Sequence, residues 1–252
     1  MNTLERIVAA TRAGVERRRG PLTLPPPSAS DAFQAALRRP GLSLIAEHKR
    51  RSPSAGVIRA DVTLEDVVAA YERGGAAALS VLTEEASFGG SPDDLRRARA
   101  TSGLPILRKD FIVDPFQVDE AAAIGADAIL LIVAALRDEE LRELHVRASE
   151  RGLSALVEVH DSRELDRALA AGASIVGVNN RDLRTLEVDS DRAFQLLPGV
   201  PEGVITVAES GFSTPEQLVA LRDGGVDAVL VGEALMRAGD IEKATRALLG
   251  AL

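Results

Sequence analysis

The chain of 252 residues lacks cysteine, and only 3% of its residues are aromatic. Without cysteine there is no disulfide, no thiol nucleophile and no cysteine-ligated zinc site. The scarcity of aromatic side chains argues against a stacking platform for single-stranded nucleic acid. The net charge of -8 disfavours non-specific binding to a polyanion, and the three histidines lack metal-ligand spacing. The sequence therefore predicts no metal, no cofactor and no nucleic-acid partner.

Long apolar stretches are also missing from the chain. No apolar run approaches the roughly 18 residues that a membrane-spanning helix needs. The first residues lack the continuous apolar core of a signal peptide. Instead, one face of a predicted N-terminal helix carries apolar or small side chains, namely Leu4, Ile7, Val8, Thr11 and Val15. We therefore expect a cytoplasmic protein without a membrane partner.

Lysine is rare, because only Lys49, Lys109 and Lys243 are found among the 30 lysines and arginines. Lys49 and Lys109 each end a short apolar run. A lysine can lose its proton when its surroundings shift its pKa, whereas arginine stays charged. Two lysines at strand ends therefore indicate places where a proton is transferred or a compact ammonium is needed; chance placement is the alternative.

The chain does contain a repeated pattern, in which a glycine is followed by a short run rich in β-formers. The repeats begin at Gly75, Gly125, Gly172 and Gly225, which are 50, 47 and 53 residues apart. Four more apolar runs lie between them, and helix-like segments separate all eight. Strands are predicted to begin near 43, 78, 105, 128, 154, 175, 204 and 228. Eight such units predict an α/β fold, a (β/α)8 TIM barrel.

A doubly wound open sheet is the alternative fold. Such a sheet usually binds its ligand through a glycine-rich turn after the first strand. Here the first predicted strand ends in charged residues instead. We expect one barrel domain over residues 1–252, with residues 1–42 as an N-terminal helical extension within it. The extension holds a first helix, a stiff connector with Pro21, Pro25, Pro26 and Pro27, and a short helix over about 30–39.

Charged and polar residues cluster at the predicted strand ends, where barrels of this class carry their active sites. Alternation along the strands directs six of them to one central mouth: Glu47, Lys49, Lys109, Glu158, Asn179 and Glu209. Carboxylates and ammoniums this close shift one another's pKa values, so one acid can stay protonated while one base stays free. A structural ion-pair network is the alternative interpretation.

Two further features lie at the same predicted mouth. Ser210-Gly211 and Gly232-Glu233 follow the last two strands, where backbone N–H groups suit a phosphate. Phe88 and Phe111 fall just beyond strand ends, with Leu131 across the mouth, and are candidates for a slot that holds a flat ring. Ordinary turn glycines and ordinary core packing are the respective alternatives.

Six stretches of the chain closely resemble the indole-3-glycerol-phosphate synthase family of tryptophan biosynthesis. They are 45–56, 80–90, 105–113, 156–160, 177–183 and 208–211, and the resemblance covers essentially the whole chain. It implies a carboxy-lyase that acts on a small phosphorylated substrate. The reaction converts 1-(2-carboxyphenylamino)-1-deoxyribulose 5-phosphate to indole-3-glycerol phosphate, with loss of CO2 and water.

The resemblance also implies roles for the residues. Lys109 is the general acid that protonates the carbonyl oxygen, and Glu158 is the base of the dehydration. Lys49 holds the substrate carboxylate and is a second candidate proton donor, and Glu47 orients the ammoniums and takes part in catalysis. The remaining implied contacts are Asn179, Arg181 and Glu209 for polar groups, Ser52, Ser210, Gly211, Gly232 and Glu233 for the phosphate, and Phe88, Phe111 and Leu131 for the ring.

Two positions depart from the family pattern. His48 stands where an apolar or aromatic residue is more usual, and alternation turns it outward, which favours a structural role. Glu233 stands where some members have serine, so we expect its backbone N–H to face the phosphate and its carboxylate to turn away.

Other functions remain open at the level of the sequence. They are a Schiff-base aldolase and a non-catalytic phosphate-binding subunit. A phosphoribosyl-anthranilate isomerase fits less well, because it does not decarboxylate and normally uses a cysteine or similar base. Weak contact with other tryptophan-pathway enzymes is a further expectation.

Overall fold

The computed structural model describes residues 1–25 and 31–250. The described residues form a closed barrel of eight parallel strands, which confirms the predicted TIM barrel. The strands are β1 (Ser43–His48), β2 (Ala78–Leu82), β3 (Ile106–Lys109), β4 (Ala128–Ile132), β5 (Ser154–Val159), β6 (Ile175–Asn179), β7 (Ile205–Glu209) and β8 (Ala228–Val231). Each begins within one residue of its predicted start. Strand β1 closes the barrel by pairing with both β2 and β8.

Among the described residues, helices surround the barrel: two precede the first strand, two follow the last, and the others lie between successive strands. They are α1 (Thr3–Arg18), α2 (Ala32–Leu37), α3 (Leu64–Gly74), α4 (Pro92–Thr101), α5 (Pro115–Ala123), α6 (Asp138–Glu150), α7 (Ser162–Ala170), α8 (Arg192–Leu196), α9 (Pro215–Asp223), α10 (Glu233–Arg237) and α11 (Ile241–Leu249). Helix α3 starts three residues later than the pattern from Asp61 suggests, because the Thr63 side chain accepts a hydrogen bond from the Asp66 N–H and caps it. No described helix is long and apolar enough to cross a membrane.

The strands are apolar on both faces because both faces are covered. Inside the barrel, Ile45, Leu107, Leu130 and Leu156 belong to one buried cluster. The alternate residues of the same strands, such as Ile129, pack with the helices in a second cluster. The polar residues at the ends of the inner rows therefore emerge at one mouth, as the period of two requires.

The N-terminal extension contacts both ends of the barrel. Helix α2 lies at the end where the strands begin: the Ser43 hydroxyl donates to the Ala36 carbonyl and Gln34 donates to Ser174. Helix α1 lies toward the other end, where Arg12 donates to the Val113 carbonyl. Residues 26–30, which include Pro26, Pro27 and the predicted start of the second helix, lie outside the described residues.

Candidate active site

A cavity of about 370 Å³ opens at the carboxyl ends of the strands. Its lining includes all six charged and polar residues predicted to meet there: Glu47, Lys49, Lys109, Glu158, Asn179 and Glu209. Five different strands or strand ends supply them. The structure thus brings the predicted cluster together in the position where barrel enzymes hold their substrates.

Lys109 lies at the centre of this cluster. Its Nζ is 3.3 Å from Glu158 Oε2 and 3.1 Å from Glu209 Oε2, so one ammonium is shared between two buried carboxylates. Burial opposes the charge on Lys109, but attraction from Glu209, Glu158 and Glu47 outweighs it. The pKa of Lys109 is therefore held above its usual value, and the side chain is an ammonium at neutral pH.

The two carboxylates that share Lys109 differ in their affinity for a proton. For Glu158, burial acts to raise the pKa, but Lys109, His160 and a hydrogen bond from Asn179 outweigh it and lower the pKa. For Glu209, burial and repulsion by Glu158 raise the pKa to about 7 despite the attraction of Lys109. The pair therefore titrates in two steps, with Glu158 as the ionised member and Glu209 as the member that retains a proton.

Glu47 and Lys49 form a second ion pair on the other side of the mouth. Lys49 Nζ is 2.8 Å from Glu47 Oε1, and both side chains are largely buried. Burial acts to raise the pKa of Glu47, but the attraction of Lys49 and Lys109 lowers it overall. Glu47 is thus an anion between two ammoniums, which suits the predicted orienting role.

Two glycines make room for the carboxylates. A Cβ on Gly177 would lie 2.3 Å from Glu209 Oε1, and a Cβ on Gly232 would lie 2.6 Å from Glu47 Oε1. Side chains at either position would displace a carboxylate of the cluster. The sequence around Gly177 in β6 gives no sign of this role, since the requirement comes from Glu209 on the neighbouring strand.

Asn179 and Arg181 form the polar rim after β6. Asn179 Oδ1 accepts a hydrogen bond from the Arg181 backbone N–H at 2.9 Å, and one Arg181 guanidinium nitrogen donates to the Leu186 carbonyl. Both residues line the cavity. The rim thus presents one amide and one cation beside Glu158 and Glu209.

The proposed phosphate residues gather at the β7 and β8 side of the cavity. Ser210 has a φ of 65° and Gly211 a φ of 86°, and a non-glycine residue in this left-handed region is uncommon and typical of functional sites. Ser52 and Gly232 line the same cavity. The Glu233 carboxylate bonds Arg237 at 3.0 Å within α10 and so is turned along its helix.

An apolar wall faces the charged cluster. The rings of Phe88 and Phe111 lie 6.4 Å apart between centroids with a tilt of 33°, and both line the cavity. The assignment of Leu131 to this wall is wrong. Leu131 is fully buried among the residues that pack against the helices, whereas its neighbours Leu130 and Ile132 line the cavity. Side chains alternate along β4, so only the latter two point inward.

His48 is buried at 3% exposure and does not line the cavity among the described residues. Burial and the neighbouring Arg50 lower the pKa of His48 to about 4. It is therefore a neutral side chain at neutral pH. This agrees with the structural role expected from its position.

Comparisons with known proteins complete this description. Residues 4–248 match the model of the family described as indole-3-glycerol phosphate synthase. The chain belongs to this family. Indole-3-glycerol phosphate synthase 2 of Streptomyces coelicolor is 54% identical over 89% of this chain and 86% of its own length. The Nocardioides sp. indole-3-glycerol phosphate synthase is 48% identical over 99% of both chains.

Solved structures agree on the fold. A mutant tryptophan synthase α-subunit from Pyrococcus furiosus superposes with a TM-score of 0.63 at 18% identity, covering 82% of this chain and 98% of its own. Thiamine phosphate pyrophosphorylase from the same organism gives 0.61 at 21% identity, covering 83% and 95%. Both likenesses concern the barrel alone.

Family membership carries the class of reaction. The chain is a carboxy-lyase of tryptophan biosynthesis with indole-3-glycerol-phosphate synthase activity, acting on a small phosphorylated substrate. The structure adds cavity residues that the sequence analysis missed, notably Ile7 from α1 and Arg237 from α10. For Arg237 a signal existed in the sequence, because it lies four residues after Glu233 and on the same helical face.

Proposed function

We propose that this barrel closes the indole ring of indole-3-glycerol phosphate with Lys109 as the proton donor and Glu158 as the base. One observation carries this assignment: a single buried ammonium lies within 3.3 Å of two carboxylates whose pKa values are shifted in opposite directions. Such a separation of neighbouring groups is how a site keeps an acid and a base ready at one pH.

The substrate has three parts that match three parts of the cavity. Its phosphate is placed at Ser52, Ser210, Gly211, Gly232 and the Glu233 N–H. Its aromatic ring is placed against Phe88 and Phe111, with Leu130 and Ile132 in place of Leu131. Support comes from the backbone conformation at Ser210-Gly211 on one side and the apolar wall on the other. This orientation leaves the ribulose carbonyl beside Lys109.

The proton transfers follow from this placement. Lys109 protonates the carbonyl oxygen as the ring carbon attacks, and Lys49 holds the carboxylate until it leaves as CO2. The hydroxyl then departs as water with a proton from Lys49, which recovers it from solvent, while Glu158 removes a proton to complete the indole. Because Glu158 lies 3.3 Å from Lys109, it can return that proton to the acid. Asn179, Arg181 and Glu209 hold the polar groups, and Glu47 fixes both ammoniums.

A Schiff-base aldolase is disfavoured by the charge state of the same lysine. A lysine must be neutral to attack a carbonyl, and desolvation or a neighbouring cation normally provides this. Lys109 is instead surrounded by carboxylates that raise its pKa. No observation favours a non-catalytic phosphate-binding subunit.

The proposal includes three further expectations, which concern domain organisation, location in the cell and partners. Residues 1–252 act as one domain with the extension 1–42, supported by the contact of Arg12 with Val113 and of Arg18 with Glu120. The protein works in the cytoplasm, as suits a biosynthetic enzyme. It contacts other tryptophan-pathway enzymes weakly.

A steady-state assay tests the reaction and the acid together. Purified protein is mixed with 1-(2-carboxyphenylamino)-1-deoxyribulose 5-phosphate, and indole fluorescence is followed. We expect product from the wild type, and no covalent adduct on Lys109 after borohydride treatment. Folded protein that forms no product, or a borohydride-trapped Lys109, would overturn the proposal.

A further inference from the structure

His160 lies two residues beyond Glu158, just past the end of β5, and none of the roles above uses it. Its Nδ1 is 3.0 Å from Glu164 Oε2, and its backbone N–H donates to the same oxygen at 2.8 Å. Its Nε2 faces the base, 3.6 Å from Glu158 Oε1. The three residues form a carboxylate–imidazole–carboxylate chain that leads out of the mouth.

The two atoms that face each other are unusual. Glu158 Oε1 and His160 Nε2 are both buried, and neither has a hydrogen-bond partner. Buried polar atoms without partners are rare and usually have a reason. The separation of 3.6 Å is longer than a hydrogen bond, and catalytic contacts often tighten only when substrate binds. The imidazolium, with a proton on each nitrogen, is the form that suits a carboxylate on both sides.

The surroundings of His160 favour that charged form. Burial acts to lower the pKa of His160, but the hydrogen bond to Glu164 and the charges of Glu158 and Glu164 outweigh it and raise the pKa. Arg192 acts in the opposite direction, and Asp182 is the further acidic neighbour across the second cavity. This second cavity, of about 210 Å³, is lined by His160, Glu164 and Asp182, whereas His160 is not among the described residues that line the mouth.

The two oxygens of Glu158 therefore face two different basic side chains. Oε2 is bonded to Lys109, and Oε1 faces His160. In the proposed reaction Lys109 gives up its proton when the ring closes, and its positive charge is then lost. Glu158 must stay ionised through that moment in order to act as the base of the dehydration. A positively charged partner at its other oxygen would keep it ionised through that step.

We propose that His160, held by Glu164, is the positioning residue that keeps Glu158 oriented and ionised while Lys109 is deprotonated. The inference rests on the roles proposed for Lys109 and Glu158. It assigns His160 no contact with the substrate. It predicts that loss of His160 affects the chemical step and its pH dependence more than substrate binding.

The test uses the full chain with His160→Gln, Glu164→Gln and a matched control, His145→Gln on α6, which lies outside both cavities. For His160→Gln we expect kcat to fall about 10-fold or more with KM within about 3-fold. The acid limb of the kcat/KM profile should move up by about one pH unit, because a nearby opposite charge lowers the pKa of a carboxyl group by about that much or more.

Glu164→Gln keeps an acceptor for Nδ1 but removes the charge that favours the imidazolium. It should therefore shift the same acid limb in the same direction by a smaller amount, while His145→Gln leaves the profile of the wild type. If the profiles of both His160→Gln and Glu164→Gln coincide with the wild type, the inference is wrong, even where kcat has fallen. The proposed function is tested separately. If the wild type turns over substrate and Glu158→Gln does not, the proposed function holds even when the inference about His160 is wrong.

Discussion

Arg108 and Lys109 are adjacent on β3, and both bind pairs of buried carboxylates, but on opposite faces of the barrel wall. Arg108 is fully buried between the strands and helices. Its donors reach Thr83 Oγ1, the Gln117 carbonyl, Asp110 and Glu120 at 2.7–3.0 Å. The planar guanidinium has several fixed donors, so it can satisfy all these partners at once.

Lys109 faces the mouth and leaves its partners incompletely bonded. Glu158 Oε1, Glu209 Oε1 and His160 Nε2 are all buried, and none of the three has a hydrogen-bond partner. Only one other buried side-chain atom in the described residues, Thr11 Oγ1, shares this condition. We infer from this difference that the Arg108 network serves stability and the Lys109 network serves function. A network that is complete stabilises the wall, whereas one with free acceptors is prepared for a ligand and for proton transfer.

The largest effect should follow from removing the base. Glu158→Gln keeps the shape of the side chain but cannot accept a proton, and a positioned base contributes about 10²–10⁴-fold. We expect kcat to fall by that factor while KM changes little, measured by indole fluorescence under steady-state conditions. A variant with more than about a tenth of wild-type turnover would remove Glu158 from the mechanism.

A change in the Arg108 network should lower stability rather than activity. Arg108→Met leaves Asp110 without its cation and removes one of the two arginines on Glu120. Breaking a buried pair at one partner costs about 3–5 kcal/mol. We expect a loss of that size in the free energy of urea unfolding, with kcat per folded molecule retained. If the Arg108→Met variant were as stable as the wild type but inactive, the Arg108 network would serve catalysis rather than stability.

Glu209→Gln should change how stability depends on pH. The folded-state pKa of Glu209 is about 7, above its ordinary value of 4.5. The folded protein therefore retains this proton while the unfolded chain loses it, and the contribution to stability disappears as pH rises from about 4.5 through 7. Glutamine does not titrate, so the variant should gain stability relative to the wild type between about pH 5 and pH 8. Urea unfolding at both values measures this, and a constant difference would contradict the raised pKa.

The smallest effects separate the two faces of β4. Leu130→Val and Leu131→Val each remove one methylene, which costs about 1 kcal/mol of stability. Only Leu130 lines the cavity, so only its variant should raise KM, by a few-fold. Equal KM values for both variants would mean that the ring does not rest on this wall.

Much of the fold was predictable, because short apolar runs repeat eight times, four of them in a pattern that begins with glycine, and both faces of each strand are covered. The six charged and polar mouth residues were predictable for the same reason, since parallel strands end together. The prediction that failed was the direction of one side chain. Because β4 is apolar throughout, its sequence gives no sign of whether Leu131 points into the barrel or toward the helices. Gly177 could not be interpreted from its own strand, because Glu209 arrives from β7.

The buried atoms without hydrogen-bond partners, Glu158 Oε1, Glu209 Oε1 and His160 Nε2, could not be predicted from the sequence either. The pattern places His160 after Glu158, but only the structure shows that its Nε2 faces the Glu158 oxygen that has no hydrogen-bond partner. Ser210 gave a partial signal, since it precedes a glycine at a strand end. Its own left-handed backbone appears only in the structure.

The most direct test is a single-turnover experiment on Lys109→Met, with enzyme in excess over substrate and the reaction quenched at short times. Methionine fills a similar volume but has no proton to donate, so we expect the substrate still to bind. Ring closure should then slow by at least about 100-fold. Ring closure at close to the wild-type rate would show that the proton comes from elsewhere, and that the open network around Lys109 is not the catalytic centre.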